Sequence, residues 1–423
     1  MLPGGRLQAA IEVLQDIETR HRPASEALAD WGRSHRFAGA GDRAAIGNLV
    51  FDALRQKRSL GYRMGSDTPR ALALGAFAFV WHCGVEKIDT LLAGDRHAPE
   101  ALTDSERIAI RHASLQGAPE AVQADVPDWV WPAFQEVFGE TALEEGRALA
   151  QRAPIDLRVN SLKASRDKVL KALSRFGAVP TPHAALGVRI PPPEGSGRSA
   201  NVQAEAAFQK GWFEVQDEGS QIAALLSGAA AGLQVADICA GAGGKTLALA
   251  ALMENKGQLH AYDTDRHRLK AIFDRLKRAG TRNVQVLAAG DHGELAALQD
   301  KMDLVFVDAP CTGSGVWRRR PDAKWRLSEQ ALQDRKKDQA EVLDQAALLT
   351  KSGGHVVYVT CSILDDENGR QITAFLERHP DFSVAPLPAS DLLALDTAGA
   401  GSMLLTPARH ATDGFFVARL VRG

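Results

Sequence analysis

The 423-residue sequence predicts an α/β fold whose C-terminal half is a doubly wound parallel sheet, preceded by an all-α bundle and a small α+β module. Three observations carry this. From Gly232 onward, short apolar runs alternate with longer helical stretches, the pattern of successive strand–helix units. One of these runs, Leu304 to Val307, is continuously apolar and bounded by Asp303 and Asp308, as expected of a strand covered on both faces. Up to Asp128, by contrast, apolar residues recur at helical spacing.

The length allows two or three domains, each with its own core. A formal net charge of −2 identifies no partner by itself, because basic residues can still gather on one face. No stretch approaches the roughly 20 apolar residues a membrane span needs, and Met1-Leu-Pro-Gly-Gly has no signal-peptide character. The expectation is a cytoplasmic, monomeric protein that engages no membrane. The four cysteines, Cys83, Cys239, Cys311 and Cys361, form no C-x-x-C pair and no ligand spacing, so neither a disulfide framework nor a metal site is expected.

Taken in order, residues 1–128 read as a helical bundle. Leu7, Ile11 and Leu14 share one helix face, and Ile46, Leu49, Val50, Ala53 and Leu54 continue the period after Asp42, a candidate N-cap. Arg55, Lys57, Arg58 and Arg63 gather near the end of that second helix, where they would meet phosphate or complement the helix dipole. Val126-Pro-Asp-Trp-Val-Trp-Pro132 breaks the pattern and opens a module over 129–220. Within it Ile155 to Leu162 alternates like a strand, and Ser165 to Phe176 reads as a helix with Val169, Leu170 and Leu173 inward. A helix from Gln221 to Leu226 then opens the domain 221–423.

In that domain the strands end on acids or thiols. Leu233 to Ile238 carries Asp237 and leads into the glycine loop Cys239-Ala240-Gly241-Ala242-Gly243-Gly244-Lys245, with a helix from Thr246 to Met253. A strand over 257–262 delivers Asp263, with a helix from Arg266 to Arg278 behind it, and one over 284–287 closes on Asp291. The strand to Asp308 runs into Ala-Pro310-Cys311-Thr-Gly-Ser-Gly315, where Pro310 and Gly313 interrupt both strand and helix. A helix over 328–349 and a strand His355 to Cys361 follow, and the segment 413–420 reads as an antiparallel hairpin at the sheet edge. In such sheets ligands bind at the carboxyl ends of the strands.

Three ligands compete for the glycine loop. A nucleotide triphosphate would want a glycine at the position of Cys239, and Asp237 would set a carboxylate beside its phosphates. A nicotinamide dinucleotide would want G-x-G-x-x-G, which Gly241, Gly243 and Gly244 meet only in part. S-adenosylmethionine suits the residues better, because its sulfonium and ammonium favour nearby acids. Asp263 can then take both ribose hydroxyls and Asp291 the adenine amino group. The thiols fit a methyl transfer to cytosine carbon-5: a thiolate adding to carbon-6 makes carbon-5 nucleophilic, and either Cys311 or Cys361 could supply it. Asp308 would hold the base at its ring nitrogen. Beyond it, Arg318, Arg319, Arg320, Lys324 and Arg326, flanked by Trp317 and Trp325, read as a lip that stacks on bases and neutralises phosphates, or as a solvated charge run.

Asp237-Ile-Cys-Ala-Gly-Ala-Gly-Gly-Lys245, Asp308-Ala-Pro-Cys-Thr-Gly-Ser-Gly315, Arg319-Arg-Pro-Asp-Ala-Lys-Trp325 and Tyr358-Val-Thr-Cys-Ser362 together resemble the Nol/Nop/Sun family of RNA cytosine-5 methyltransferases. The resemblance covers nearly the whole chain. It implies a class I (Rossmann-like) methyltransferase domain over 221–423, an RRM-like connector over 129–220 and a NusB-like RNA-binding domain over 1–128. It also implies S-adenosyl-L-methionine as cofactor and RNA, foremost small-subunit rRNA, as partner. Transfer RNA, or a non-catalytic assembly role, is the alternative. By the same resemblance Cys361 is the nucleophile and Cys311 assists product release. One departure is Ala242, where the family has a proline; the alanine frees φ and restores an N–H.

Overall fold

In the computed structural model, which describes residues 1–397 and 399–423, the chain falls into two units. The first comprises Met1–Ala153, Pro192–Ser199 and Val316–Leu327; the second comprises Pro154–Pro191, Ala200–Gly315 and Ser328–Gly423.

The first unit is helical, and its helices run past Asp128 to Leu149. Its core joins Leu7, Val13 and Leu14 of Pro3–Arg20 to Ile46, Leu49, Val50 and Ala53 of Ala40–Arg55. The expectation of Asp42 as a cap is corrected: Gly39 precedes the helix, and Asp42 stands one turn in, its carboxylate accepting from the Gly39 N–H at 3.0 Å. That is the acidic half of a capping box, which satisfies a backbone donor just as a cap does. The arginines near the end of this helix are held by protein groups. Arg58 pairs with Asp128 and donates to the Val126 carbonyl at 2.8 Å, and Arg63 lies 4.8 Å over the Phe79 ring.

The basic, tryptophan-flanked run is part of this unit, and most of it does not form the solvent-facing lip expected from its composition. Trp317 is fully buried, Arg318 is 5 % exposed and Lys324 only 1 %. The Lys324 ammonium donates to the Arg55 carbonyl at 3.0 Å and lies 4.7 Å from the Trp325 ring centroid. The Trp325 indole donates to the Leu54 carbonyl at 2.6 Å, and Arg55 donates back to the Arg318 carbonyl at 2.7 Å. The physical reason is that two indoles and a lysine stem bury a large apolar area together, while the Lys324 ammonium and the Trp325 indole N–H cap helix-end carbonyls. Arg319 is half-buried; only Arg320 and Arg326 are exposed.

The second unit contains two sheets. In the smaller, β1 (Ile155–Val159), β2 (Val179–Pro180), β3 (Gly187–Ile190) and β4 (Phe213–Val215) lie in the order β2-β3-β1-β4, all neighbours antiparallel. The alternation of β1 does not put its polar residues in water. Asp156 is 1 % exposed and takes two bonds of 2.7 Å from Arg189, its cross-strand partner; Arg158 is buried against Gln216. Pairing across the strands replaces solvation. The expected helix from Ser165 stops at Ala172 and tightens into a 3₁₀ turn, with Val169 and Leu173 fully buried.

The larger sheet runs β10-β12-β9-β8-β5-β6-β7, with β11 added on β12. Its strands are β5 (Gln234–Asp237), β6 (Gln258–Ala261), β7 (Val284–Val286), β8 (Met302–Asp308), β9 (Thr350–Thr360), β10 (Phe382–Val384), β11 (Ser402–Leu405) and β12 (Phe415–Arg422). β5 to β9 are parallel; β10, β11 and β12 pair antiparallel at one edge, as the tail pattern predicts. Alternate residues face alternate cores. Val305, Val307, Val356 and Tyr358 pack with Leu343 and Phe375 of the helices Glu329–Leu349 and Gly369–Arg378. Leu304, Phe306, Val357 and Val359 pack with Ile222 and Leu249 of Glu218–Leu225 and Gly244–Leu252. Two covered faces are why the β8 run has no polar member. The helix expected from Arg266 to Arg278 is broken at Ala271 into Arg266–Lys270 and Ile272–Ala279.

Removing the Asp156 carboxylate leaves the Arg189 guanidinium partly buried with the longer Glu218 pair, at 3.4 Å, in place of its tight one. Asp156→Ala should therefore cost about 3–5 kcal/mol, read as a lower urea midpoint, and Arg189→Met in the same chain should restore part of it. A second expectation concerns Lys324, whose ammonium is pushed down to about 8 by burial, against the pull of Asp125. Unfolded lysine titrates near 10.4. Between the two values the unfolded chain binds the extra proton, so stability rises with pH there. Urea midpoints measured between pH 8 and pH 10 should climb less in Lys324→Met than in the parent.

Candidate active site

The parallel register of β5, β6, β8 and β9 sets their carboxyl ends along one edge of the sheet. β5 ends at Asp237, which is fully buried, accepts from the Thr246 hydroxyl at 2.6 Å and is raised to about 7 by burial. The next turn is the glycine loop. Gly243 has φ +85°, and a Cβ there would stand 2.4 Å from the Ile272 side chain, so the position admits no larger residue. Ala242, in the place of the family's proline, is anchored differently: Arg275 donates to its carbonyl at 2.7 Å. The Cys239 thiol is held well above the ordinary range by burial and by Asp237, Asp308 and Asp263. It stays protonated and unreactive.

Beyond β6, Asp263 is 4 % exposed and fastens the loop: one oxygen accepts from the Gly241 N–H and the other from the Asp265 N–H, both at 2.8 Å. Each oxygen retains a lone pair for a ligand hydroxyl. Asp291 is exposed and caps the short helix His292–Ala296 through the Gly293 and Glu294 N–H groups at 2.8 and 3.1 Å. At the end of β8, Asp308 accepts from the Lys245 ammonium at 2.7 Å, and that ammonium lies 5.1 Å from the Phe415 ring centroid. This pair links the glycine loop to the thiol loop.

The two thiols meet. Cys311 Sγ and Cys361 Sγ are 3.3 Å apart, both half-buried, one in the loop after β8 and the other directly after β9. The Ala309 N–H bonds the Val359 carbonyl at 2.8 Å and the Gly315 N–H bonds the Cys361 carbonyl at 2.9 Å, fixing the approach from both sides. The Cys311 thiol is held well above the usual range by its hydrogen bond to Cys361, by burial, and by the charges of Cys361 and Glu367. Two sulfurs this close resist double ionisation.

A carboxylate absent from the sequence reading lies beneath them. Glu367, fully buried, accepts from the Thr312 N–H at 2.8 Å, the Thr312 hydroxyl at 2.5 Å, the Gln339 amide at 2.9 Å and the Ser362 hydroxyl. In sequence it belongs to Asp365-Asp366-Glu367-Asn368, a stretch that reads as a solvated acidic turn. Its distance of six residues from Cys361 is the only signal. Among the described residues no cluster of His, Cys, Asp and Glu has the makings of a metal site, and no helix is long and apolar enough to cross a membrane.

The chain is similar to known proteins along most of its length. Residues 227–421 match the family model of the 16S rRNA methyltransferase RsmB/F, and residues 126–193 match the RsmF/B-like ferredoxin-like domain. Ribosomal RNA small subunit methyltransferase B of Photorhabdus laumondii is 34 % identical over 298 residues, 70 % of this chain and 66 % of that protein. The match thus spans slightly under two thirds of that relative's length. The crystal structure of PH0851 superposes with a TM-score of 0.75 at 27 % identity, covering 100 % of this chain and 99 % of that one. A methyltransferase homologue from Pyrococcus horikoshii gives 0.59 at 27 % identity, covering 72 % and 98 %. With a matching methyltransferase domain, its companion ferredoxin-like domain and a third of its residues shared over most of the chain, this protein belongs to the RsmB/F family of methyltransferases.

Proposed function

We propose that this protein methylates carbon-5 of a cytosine in RNA, most directly small-subunit rRNA, with S-adenosyl-L-methionine as donor. The observation that carries the proposal is the thiol pair at 3.3 Å, set at the ends of two adjacent parallel strands next to Asp308. Transfer to an amino group or a hydroxyl would use no thiol, and a single nucleophile would not require a second sulfur in contact with it.

The donor set suits the cofactor. Asp263 offers both carboxylate oxygens at the glycine loop, Asp291 stands beyond β7, and Asp263 and Asp308 bring negative charge to the loop that a sulfonium and an ammonium would balance. When bound, the cofactor supplies an electrophilic methyl group. The chain does the rest. Cys361 as thiolate adds to carbon-6 of the cytosine, and the electron pair this releases makes carbon-5 nucleophilic toward the methyl group. Lys245 holds one oxygen of Asp308, which leaves the other to hydrogen-bond the ring nitrogen as that nitrogen takes a proton from solvent during thiolate addition and returns it on elimination. Conversion of Cys361 to a thioether removes its charge from beside Cys311. Cys311 then gives its own proton to solvent and takes the proton of carbon-5. The carbon-6–sulfur bond breaks last, its electron pair returning to Cys361.

RNA approaches a site of this kind as an unstacked base, since carbon-6 is closed off within a helix. Of the basic run, Arg320 and Arg326 are exposed, which supports assigning phosphate contacts to them.

Three outcomes test the reading. Incubated with labelled cofactor and unmodified small-subunit rRNA, the parent transfers methyl to carbon-5 of cytosine and Cys361→Ala does not; equal transfer by both would refute the proposal. Cys311→Ala should accumulate a covalent protein–RNA band on a denaturing gel, whereas accumulation in Cys361→Ala instead would exchange the two roles. Arg320→Ala and Arg326→Ala should each lessen the slope of log affinity against log salt by about one, with little change in sequence preference.

A further inference from the structure

We propose that Glu367 is a positioning residue that clamps the two thiol-bearing loops to one another, so that Cys311 and Cys361 reach the same base together. The inference deepens the reaction proposed above and rests on it for its catalytic consequence, but the clamp itself is a statement about geometry. Each partner of the carboxylate adjoins or holds a reactive element. Thr312 follows Cys311, and Ser362 follows Cys361. Gln339 donates both to Glu367 and to the carbonyl of Pro310, the residue before Cys311, at 2.9 Å in each case. One buried side chain thus ties the far side of both loops and a helix to a single point.

The arrangement is costly to build and hard to replace. A carboxylate at 0 % exposure has given up its hydration, and no lysine or arginine among the described residues pairs with it. Neutral donors compensate it, two on each oxygen: the Thr312 N–H and Gln339 amide on Oε1, the Thr312 and Ser362 hydroxyls on Oε2. Its own backbone is tethered, with the Tyr358 hydroxyl of β9 donating to its carbonyl at 2.7 Å. Asn368, next in sequence, accepts from the Thr360 hydroxyl at 2.6 Å and donates to the Ser362 carbonyl at 3.0 Å. Ser314 completes the ring: its hydroxyl contacts that of Ser362 at 2.9 Å and accepts from the Ile363 N–H at 3.0 Å. A glutamine in place of Glu367 would turn an NH₂ toward two donors, so even the isosteric change breaks the set. The negative charge also adds to the hold on the Cys311 proton.

The test separates geometry from chemistry by using a probe for paired thiols. Phenylarsine oxide condenses with two thiols and releases water, so its affinity reports how well two sulfurs are held together, whether or not the enzyme turns over. The parent should bind it at this pair, with binding lost in Cys361→Ser. Glu367→Gln should bind it about tenfold more weakly, the scale of one charge-assisted hydrogen bond. In the same variant kcat for methyl transfer should fall at least as far, with KM for RNA within about twofold, since an interaction that orients the reacting groups acts on turnover rather than on binding. With Cys361 replaced by serine, alkylation of Cys311 should set in at lower pH in Glu367→Gln than in its parent, a shift that loss of packing alone does not produce. Thr312→Val removes one hydroxyl and leaves three bonds, so it carries the test if Glu367→Gln does not fold; a smaller fall in arsenical affinity is expected. Arsenical affinity equal to the parent's in the folded variants overturns the clamp. A fall in affinity from a parent that methylates no RNA upholds the clamp and removes the reaction assigned above.

Discussion

The register between β8 and β9 is the constraint on which the site depends. Asp308 stands opposite Val359 in the parallel ladder, so both strands end at the same level and the residues that follow them enter the same space. A displacement of one residue would turn every side chain of one strand to the opposite face. Here that would exchange Val356 and Tyr358 with Val357 and Val359 between two separately filled cores. The register is therefore enforced by apolar packing on both sides of the sheet, far from any reacting atom. The chemistry borrows its precision from the core.

Above that edge, charge is managed by pairing rather than by exposure. Lys245 is neutralised by Asp308, Asp263 is spent on loop amides, and Asp237 shares a hydroxyl with Thr246 while burial pushes its carboxyl up to about 7. The glycine loop is accordingly a rigid object before any ligand arrives. Arg275 plays a part in this, since its bond to the Ala242 carbonyl restrains a position where a proline ring would have restrained φ. Preorganised donors of this kind give up no binding energy to reorganisation.

Much of this was legible in sequence for a physical reason: strands covered on both faces are continuously apolar, and their ends are marked by the first polar residue. Asp237, Asp263, Asp308 and Cys361 each lie at such a boundary. The less legible features are those where a partner distant in the chain decides the outcome. Lys324 and Trp325 look like surface residues because nothing within a few positions reveals the helix-end carbonyls of Leu54 and Arg55 that receive them. Glu367 looks like part of an acidic turn because its compensating donors come from Thr312, Gln339 and Ser362, none of them cationic. Asp156 alternates as an exposed residue should, and is buried because Arg189 stands across from it. Local pattern reports the backbone well and buried polarity poorly.

The discontinuous make-up of the helical unit has a practical consequence. Val316–Leu327 belongs to it, although the chain reaches that segment only after passing through Gly315 of the other unit, and it leaves again at Ser328. No single cut in the polypeptide can separate the two. A shortened protein beginning at Pro154 would carry Lys324 and Trp325 into water without the carbonyls and apolar seat that now receive them, a few residues from the loop that bears Cys311. Dissection of this protein by simple deletion would confuse loss of a folding partner with loss of a ligand contact, and separating those effects calls for substitutions within the intact polypeptide.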